Sequence, residues 1–358
     1  MEQIDQILAL MRAPAFCVTE GTVTAVNDAA RRRGILPGTA VDPLLSTGRE
    51  EYGAFTGGSL YLTVTAADST CGASVNRVGG QDLFLLEQDS DQAELQAMAL
   101  AAQDLRSPLT SVMAVAEQLF PLEQDDQDPA MQDQVARINR GLLQMMRIIC
   151  NMSDAYRSSQ ESPSQMETRD IGNMLEEVFR TAAPMIDHTG ITLRFTGLSE
   201  PVYGRIEPGK LERAVHNILS NAVKFTPAGG TIDAKLTRKG KMLYLTVEDS
   251  GSGIHDAIRG SIYERYRREP ALEDSRHGIG LGMVLIRSAA TVHGGTVLLE
   301  QPEGRGSRLT MTIAIRSSKS AMVRSPIFEA DYAGGMDHRL LELSGCLPAK
   351  LYQKDLSE

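Results

Sequence analysis

Two runs of apolar residues spaced alternately three and four apart constrain this chain more than any other feature. Leu95, Met98, Ala102, Leu105, Leu109, Val112, Ala116 and Leu119 make the first seam. Val135, Ile138, Leu142, Met145, Ile149, Met152 and Tyr156 make the second. Such spacing predicts two helices that pack along a stripe against other helices. The acidic connection Glu123-Gln124-Asp125-Asp126-Gln127-Asp128-Pro129 is short, so the pair is expected to fold back as an antiparallel hairpin. One hairpin buries only part of each stripe, and a second copy completing a dimeric four-helix bundle is the natural solution. An intramolecular bundle or a stalk without chemistry fits the same spacing. Gln103 and Asp104 fall outside the first seam, and Pro108 removes a mid-helix donor, which predicts a kinked or loosened polar turn.

At 358 residues the chain is expected to divide into two or three domains. A formal net charge of −10 argues against nucleic-acid or anionic-membrane partners. No apolar run has the length of a membrane span, and the amino terminus lacks a signal-peptide pattern, so a cytoplasmic location is expected. Cys17, Cys71, Cys150 and Cys346 show no paired spacing and read as reduced thiols.

Residues 1–90 open with a short helix over Ile4 to Met11. Two apolar runs around Glu20-Gly21 follow and predict a strand hairpin. A short helix from Asn27 and strands near Ser59–Thr65 and Asp82–Leu86 come next. This order, with "VNDAARRRG" after the opening hairpin, resembles a PAS sensory domain. The first histidine of the chain is His188, which excludes a histidine-held haem in this segment. A dimerising or regulatory role is expected here, with any small ligand unassigned.

Beyond the polar linker Ser158 to Glu167, the segment "KLERAVHNILSNAVKFTPAGGTI" sets Asn217, Asn221 and Lys224 on one helical face. Amides four apart followed by a lysine suit a hydrated Mg²⁺ and phosphate oxygens, although asparagine pairs also cap and bridge helices. "YLTVEDSGSGI" then runs a strand into Asp249, with Gly251 and Gly253 permitting close approach of a ligand. The carboxylate offers a directional acceptor for an exocyclic amine. "GIGLGM" opens a helix, where backbone N–H groups and the dipole favour phosphate. No strand directly precedes it, so it is not the dinucleotide fingerprint.

In this order the segments resemble the N, G1, F ("IYERYRR") and G2 boxes of the histidine-kinase ATP domain, the Bergerat fold shared with gyrase-type ATPases. The resemblance implies that Asn221 binds Mg²⁺ while Asn217 and Lys224 line the phosphate side. Asp249 would accept from the adenine amine, Gly251 and Gly253 would shape the base pocket, and Thr310 would support Asp249. Gly278, Gly280 and Gly282 would hold the lid and phosphates, and Arg268 would approach the γ-phosphate. Hydrolysing relatives carry a glutamate base at the position of Asn217, which argues against a free ATPase. His216 is expected at the surface and His277 on a solvated lid.

"QDLRSPLTSV" in turn resembles the phosphoacceptor box of histidine kinases, with Gln103 where that family carries its histidine. A carboxamide nitrogen has its lone pair tied up in resonance and is no nucleophile, unlike imidazole. The resemblance gives Asp104 the role of general base and Ser107 that of placing a water. The whole is expected to be an α+β multidomain chain. A PAS-like domain (1–90) precedes the dimerising hairpin (91–160), an α/β-sandwich ATP-binding domain (168–315) and a tail (316–358). For the tail, docking on the ATP domain and partner binding are equally open. The expected function is that of a two-component sensor histidine kinase-like homodimer that binds ATP–Mg²⁺ and addresses a response regulator, without autophosphorylation at Gln103. The alternative is a pseudokinase or response-regulator phosphatase using ATP as a conformational ligand. A serine kinase of the anti-sigma type fits the long hairpin poorly.

Overall fold

A computed structural model describes residues 8, 10–67, 69–78, 80–87, 91–119, 129–159, 166–254, 263, 280–302, 306–316 and 335–353. Most of the expected helix from Ile4, and the connection at 123–128, lie outside these residues.

The chain opens with β1 (Ala15–Thr19) and β2 (Thr22–Val26), joined through Glu20 and Gly21. Both turn residues have positive φ (50° and 74°), the geometry that matches strand twist in a two-residue hairpin. Asn27 caps α1 (Asp28–Arg32): its Oδ1 accepts from the N–H groups of Ala15 and Ala30, and its Nδ2 donates to the carbonyls of Met11 and Ala13. One buried amide thus ties the leading segment to the hairpin and the helix, using its full hydrogen-bonding capacity. There follow α2 (Arg49–Gly53), β3 (Ser59–Ala66), β4 (Ser69–Val78) and β5 (Gln81–Leu86).

Two long helices come next, α3 (Asp91–Leu119) and α4 (Pro129–Ser159), and they pack on each other. The seams split in the folded chain. Leu95, Ala102 and Leu109 of α3 and Val135, Leu142 and Ile149 of α4 are buried. Leu105 (53%), Val112 (54%), Ile138 (43%) and Met145 (48%) stay exposed. α3 runs on through Pro108, and the Thr110 and Ser111 hydroxyls donate to the Arg106 and Ser107 carbonyls one turn back.

The remaining elements are β6 (Glu167–Asp170), α5 (Ile171–Asp187), β7 (Thr192–Thr196), β8 (Tyr203–Ile206), α6 (Pro208–Phe225), β9 (Thr231–Lys239), β10 (Met242–Asp249), α7 (Gly282–Val292), β11 (Val297–Glu300), β12 (Arg308–Ala314) and α8 (His338–Leu343). β6 and β8 pair separately from the rest. The other ten strands form one sheet in the order β2-β1-β5-β4-β3-β11-β12-β10-β9-β7.

The regions 1–90 and 168–315, read from the sequence as separate domains, therefore share a sheet. The junction pairs Ser59, Leu60 and Tyr61 of β3 antiparallel with Leu299, Leu298 and Val297 of β11. Gly58 permits it: φ is +89°, and a Cβ there would overlap the Leu299 carbonyl oxygen. The Tyr263 hydroxyl lies 2.7 Å from the Ser59 carbonyl and 2.9 Å from that of Val297, beside the seam.

The tail folds back. α8 begins at Asp337, whose carboxylate caps it, and a 3₁₀ turn at Ala349–Tyr352 follows. Both lie against α4: Asn139 Nδ2 donates to the Tyr352 carbonyl, while Arg140 and Gln144 donate to that of Ser344. The described tail residues dock on α4 and, through His338 Nδ1 and Glu212 Oε1 at 3.1 Å, on α6. Among them, no helix is long and apolar enough to cross a membrane.

Candidate nucleotide site

α6 carries the site's central stripe. Pro208 sits in its first turn, where the missing N–H has no intrahelical partner to lose. Leu211, Val215, Ile218 and Ala222 are buried, as the spacing predicted. Arg213, His216, Asn217 and Ser220 are buried as well, at polar positions three or four apart on an adjacent face.

Asp249 closes β10 and is 6% exposed. Its Oδ1 accepts from the Gly251 N–H (2.9 Å) and the Ser307 N–H (3.3 Å), and its Oδ2 accepts from the Ser307 hydroxyl (2.5 Å). The carboxylate is thus fixed in place before any ligand arrives. Gly251 must be glycine, because a Cβ would overlap the Phe225 carbonyl at the end of α6. The expectation that Thr310 supports Asp249 is corrected here. The Thr310 hydroxyl lies 3.1 Å from that of Thr246 across the β10–β12 ladder, and Ser307 holds Asp249 instead.

Gly282 starts α7 directly over the α6 amides: a Cβ on it would sit 3.2 Å from Asn217 Oδ1. Asn221 Nδ2 lies 3.9 Å from Met283 Sδ, and Gly280 has φ +77°. α7 is also seated on the hairpin, since Leu281 and Val284 cluster with Leu95 and Ala155. The structure therefore brings Asn217, Asn221, Gly280 and Gly282 together. Asp249, Gly251 and Gly253 lie at the β10 end. Arg268, Gly278, His277 and the rest of the F segment apart from Tyr263 lie outside the described residues.

Cations crowd this stripe. Arg147, from α4, donates to Ser220 Oγ (3.2 Å), Asn217 Oδ1 (3.2 Å) and Glu342 Oε2 (3.2 Å). Arg213 donates to Glu342 Oε1 (2.9 Å) and Asn151 Oδ1 (2.6 Å), and also pairs with Asp154. Lys224 is held down to about 8, first by burial and then by the charge of Arg147; the nearby Cys346 works weakly the other way. Among the described residues it has no carboxylate partner.

His216, expected at the surface, is buried, because α6 is covered on that side by α8. Neither ring nitrogen has a hydrogen-bond partner, and burial lowers its pKa. Glu342 is wholly buried; burial alone would raise its carboxyl, but Arg213 and Arg147 outweigh that and hold it low. Arg147, Arg213, Ser220, Ser307 and Glu342 escaped the sequence reading. Only Ser307 left a local signal there, following Gly304 and Gly306 at the start of a strand.

Gln103, Asp104 and Ser107 are exposed on α3, outside this cluster. Gln103 and Ser107 line a shallow hollow with Arg106, Thr110 and Ser111. No group of three His, Cys, Asp or Glu side chains suited to a metal occurs among the described residues.

This α+β arrangement contains an ATP-binding domain of the histidine-kinase type. Residues 206–317 match the family described as histidine kinase-, DNA gyrase B- and HSP90-like ATPase. The chain is 26% identical over 246 residues to the adaptive-response sensory kinase SasA of a Synechococcus strain, a match covering 66% of this chain and 64% of that one. It is 29% identical over 233 residues to the sensor histidine kinase RppB of Synechocystis, covering 64% and 50%. With hybrid signal transduction histidine kinase D of Dictyostelium discoideum it shares 26% over 242 residues, 66% of this chain but 16% of that one. The chain thus spans less than two thirds of the length of these relatives. Full-length ShkA in complex with AMPPNP has the same fold over 62% of this chain and 46% of its own, with a TM-score of 0.50 and 20% identity.

Proposed function

We propose that the chain is a sensor histidine kinase-like signalling protein that binds ATP–Mg²⁺ between α6, α7 and the end of β10. The observation that carries this reading is Lys224. It is a half-buried ammonium with no carboxylate partner among the described residues, on the helix that carries Asn217 and Asn221 and close to the charge of Arg147. A cation so placed favours an arriving anion, and the oxygens of a triphosphate supply one. Asp249, fixed by Ser307 and Gly251, accepts from the adenine amine, and Gly253, where a Cβ would crowd the Gln301 side chain and the Gly306 carbonyl, shapes the base pocket. Gly280 and Gly282 present backbone N–H groups to phosphate at the start of α7. Arg268 and Gly278 complete the phosphate side by resemblance. Asn221 holds the hydrated Mg²⁺, whose charge offsets that of the phosphates when bound. The structural neighbour ShkA, in complex with AMPPNP, supports the nucleotide assignment.

The exposed residues Leu105, Val112, Ile138 and Met145 are covered by a second copy of the chain, giving a four-helix bundle that a response regulator addresses. The antiparallel strands β1–β5 support a PAS-like sensory module. Gln103 offers no nucleophilic nitrogen, so the chain does not autophosphorylate there, and Asp104 and Ser107 are left to act on a regulator's phosphate. That one observation favours the second reading, a regulatory dimer in which ATP acts as a conformational ligand.

Calorimetry with Mg²⁺-AMPPNP tests the site. The unaltered chain is expected to bind. Asp249→Asn, which replaces an ionised acceptor, should lose about 1.5–3 kcal/mol, or roughly ten- to hundredfold in Kd. Ser307→Ala should lose about 1 kcal/mol by loosening that carboxylate. Equal affinity in Asp249→Asn would remove Asp249 from the site.

A further inference from the structure

The docked tail reaches the face of α6 that carries Asn217 through two guanidinium groups. Glu342 brings a carboxylate to two guanidinium groups, accepting from Arg213 Nε at 2.9 Å and Arg147 Nε at 3.2 Å. Carboxylate and phosphate oxygens are alternative partners for such forks. While Arg147 is held this way, its other nitrogens occupy Ser220 Oγ and Asn217 Oδ1. The Asn217 amide nitrogen donates to the Arg213 carbonyl at 2.8 Å. Both polar atoms of that asparagine are therefore engaged, and the guanidinium of a hairpin residue lies across the stripe.

The rest of the segment is built to stay. Leu340, Leu341, Leu343, Leu347 and Tyr352 are buried, and the Tyr352 hydroxyl donates to the Leu340 carbonyl. His338 Nδ1 lies 3.1 Å from Glu212 Oε1 on α6. The same contacts fasten α4 to α6, since Arg147 belongs to the hairpin and Arg213 to the ATP domain. Whatever releases Glu342 removes the carboxylate that the two guanidinium groups share.

We propose that residues 336–352 form an internal cap on the nucleotide site, in which Glu342 holds Arg147 over Asn217 and competes with the phosphates of a nucleoside triphosphate for that face of α6. The inference rests on the nucleotide reading above. A chain that must first undock the cap binds nucleotide with its intrinsic Kd divided by the uncapped fraction. Coupling is reciprocal, so bound nucleotide in turn loosens the cap and the α4–α6 contact with it.

Mg²⁺-AMPPNP binding by the unaltered chain, by Glu342→Gln and by a chain ending at Arg316 tests the cap. So does hydrogen exchange of residues 336–352 in the unaltered chain with and without nucleotide. Glu342→Gln and the shortened chain should bind at least about tenfold more tightly. Residues 336–352 should lose protection as nucleotide saturates. An unchanged Kd in Glu342→Gln, or unchanged protection at saturation, overturns the cap while leaving the nucleotide site standing. If either variant fails to fold, the exchange result on the unaltered chain decides. No binding by any of the three chains overturns the nucleotide reading and the cap with it.

Discussion

Glu342 Oε1 accepts from Arg213 Nε at 2.9 Å although 129 positions separate the two residues in the chain. Both are buried, and Arg147 approaches the other carboxylate oxygen. Removing one member of such a cluster leaves uncompensated charge in a poorly solvated place, which costs more than a surface ion pair.

Glu342→Ala should therefore destabilise the docked tail by about 3–5 kcal/mol, read from urea denaturation. The cluster also fixes a pH dependence. Its folded carboxyl titrates below the unfolded one, held there by Arg213 and Arg147 against the opposing effect of burial. The stabilisation is thus fully present above the ordinary glutamate range, about 4.3, and fades as pH falls through the lower folded value. The acid limb of the stability curve should flatten in Glu342→Gln.

Lys224 should make nucleotide affinity pH-dependent on the alkaline side. With its ammonium held near 8, raising pH from 7 to 9 discharges it in the free protein. Binding of a triphosphate requires the charged form, so Kd should rise with pH, approaching about tenfold per unit above the pKa. Lys224→Arg, whose guanidinium stays charged, should show a flat profile over the same range.

Gly58→Ala should damage the shared sheet. The residue sits at φ +89°, and its new Cβ would overlap the Leu299 carbonyl. Strain of about 1–3 kcal/mol is expected, seen as a lower thermal midpoint and as faster hydrogen exchange in β3 and β11.

Gln103→His should restore a nucleophile on the exposed face of α3. Incubated with γ-labelled ATP, that variant should gain acid-labile phosphate at residue 103, and the unaltered chain should carry none there. A variant that binds ATP and remains unlabelled would count against the kinase part of the proposal.

Local patterns were enough for much of this protein. The three-four spacing of residues 95–119 and 135–156 specified two helices that pack on each other, because burying an apolar stripe at that period leaves few other solutions. Glu20-Gly21 specified a hairpin turn through the positive φ its backbone requires. Asn217 and Asn221 share a face of α6 because helical geometry puts residues four apart together, and Asp249 closes its strand just before the glycines.

What the tertiary structure alone decided are relationships between residues far apart in sequence. The β3–β11 pairing is one: nothing in either strand names its partner, since backbone hydrogen bonds carry no residue identity, and Gly58 marks where the two strands come close. His216 is another, buried because a segment more than a hundred residues later covers it. Ser307 replaces Thr310 beside Asp249 because strand register, not composition, sets which hydroxyl faces the carboxylate. The cluster of Arg147, Arg213 and Glu342 draws one residue each from the hairpin, the nucleotide domain and the tail. Each reads in sequence as an ordinary charged residue, and it is burial that makes their pairing obligatory.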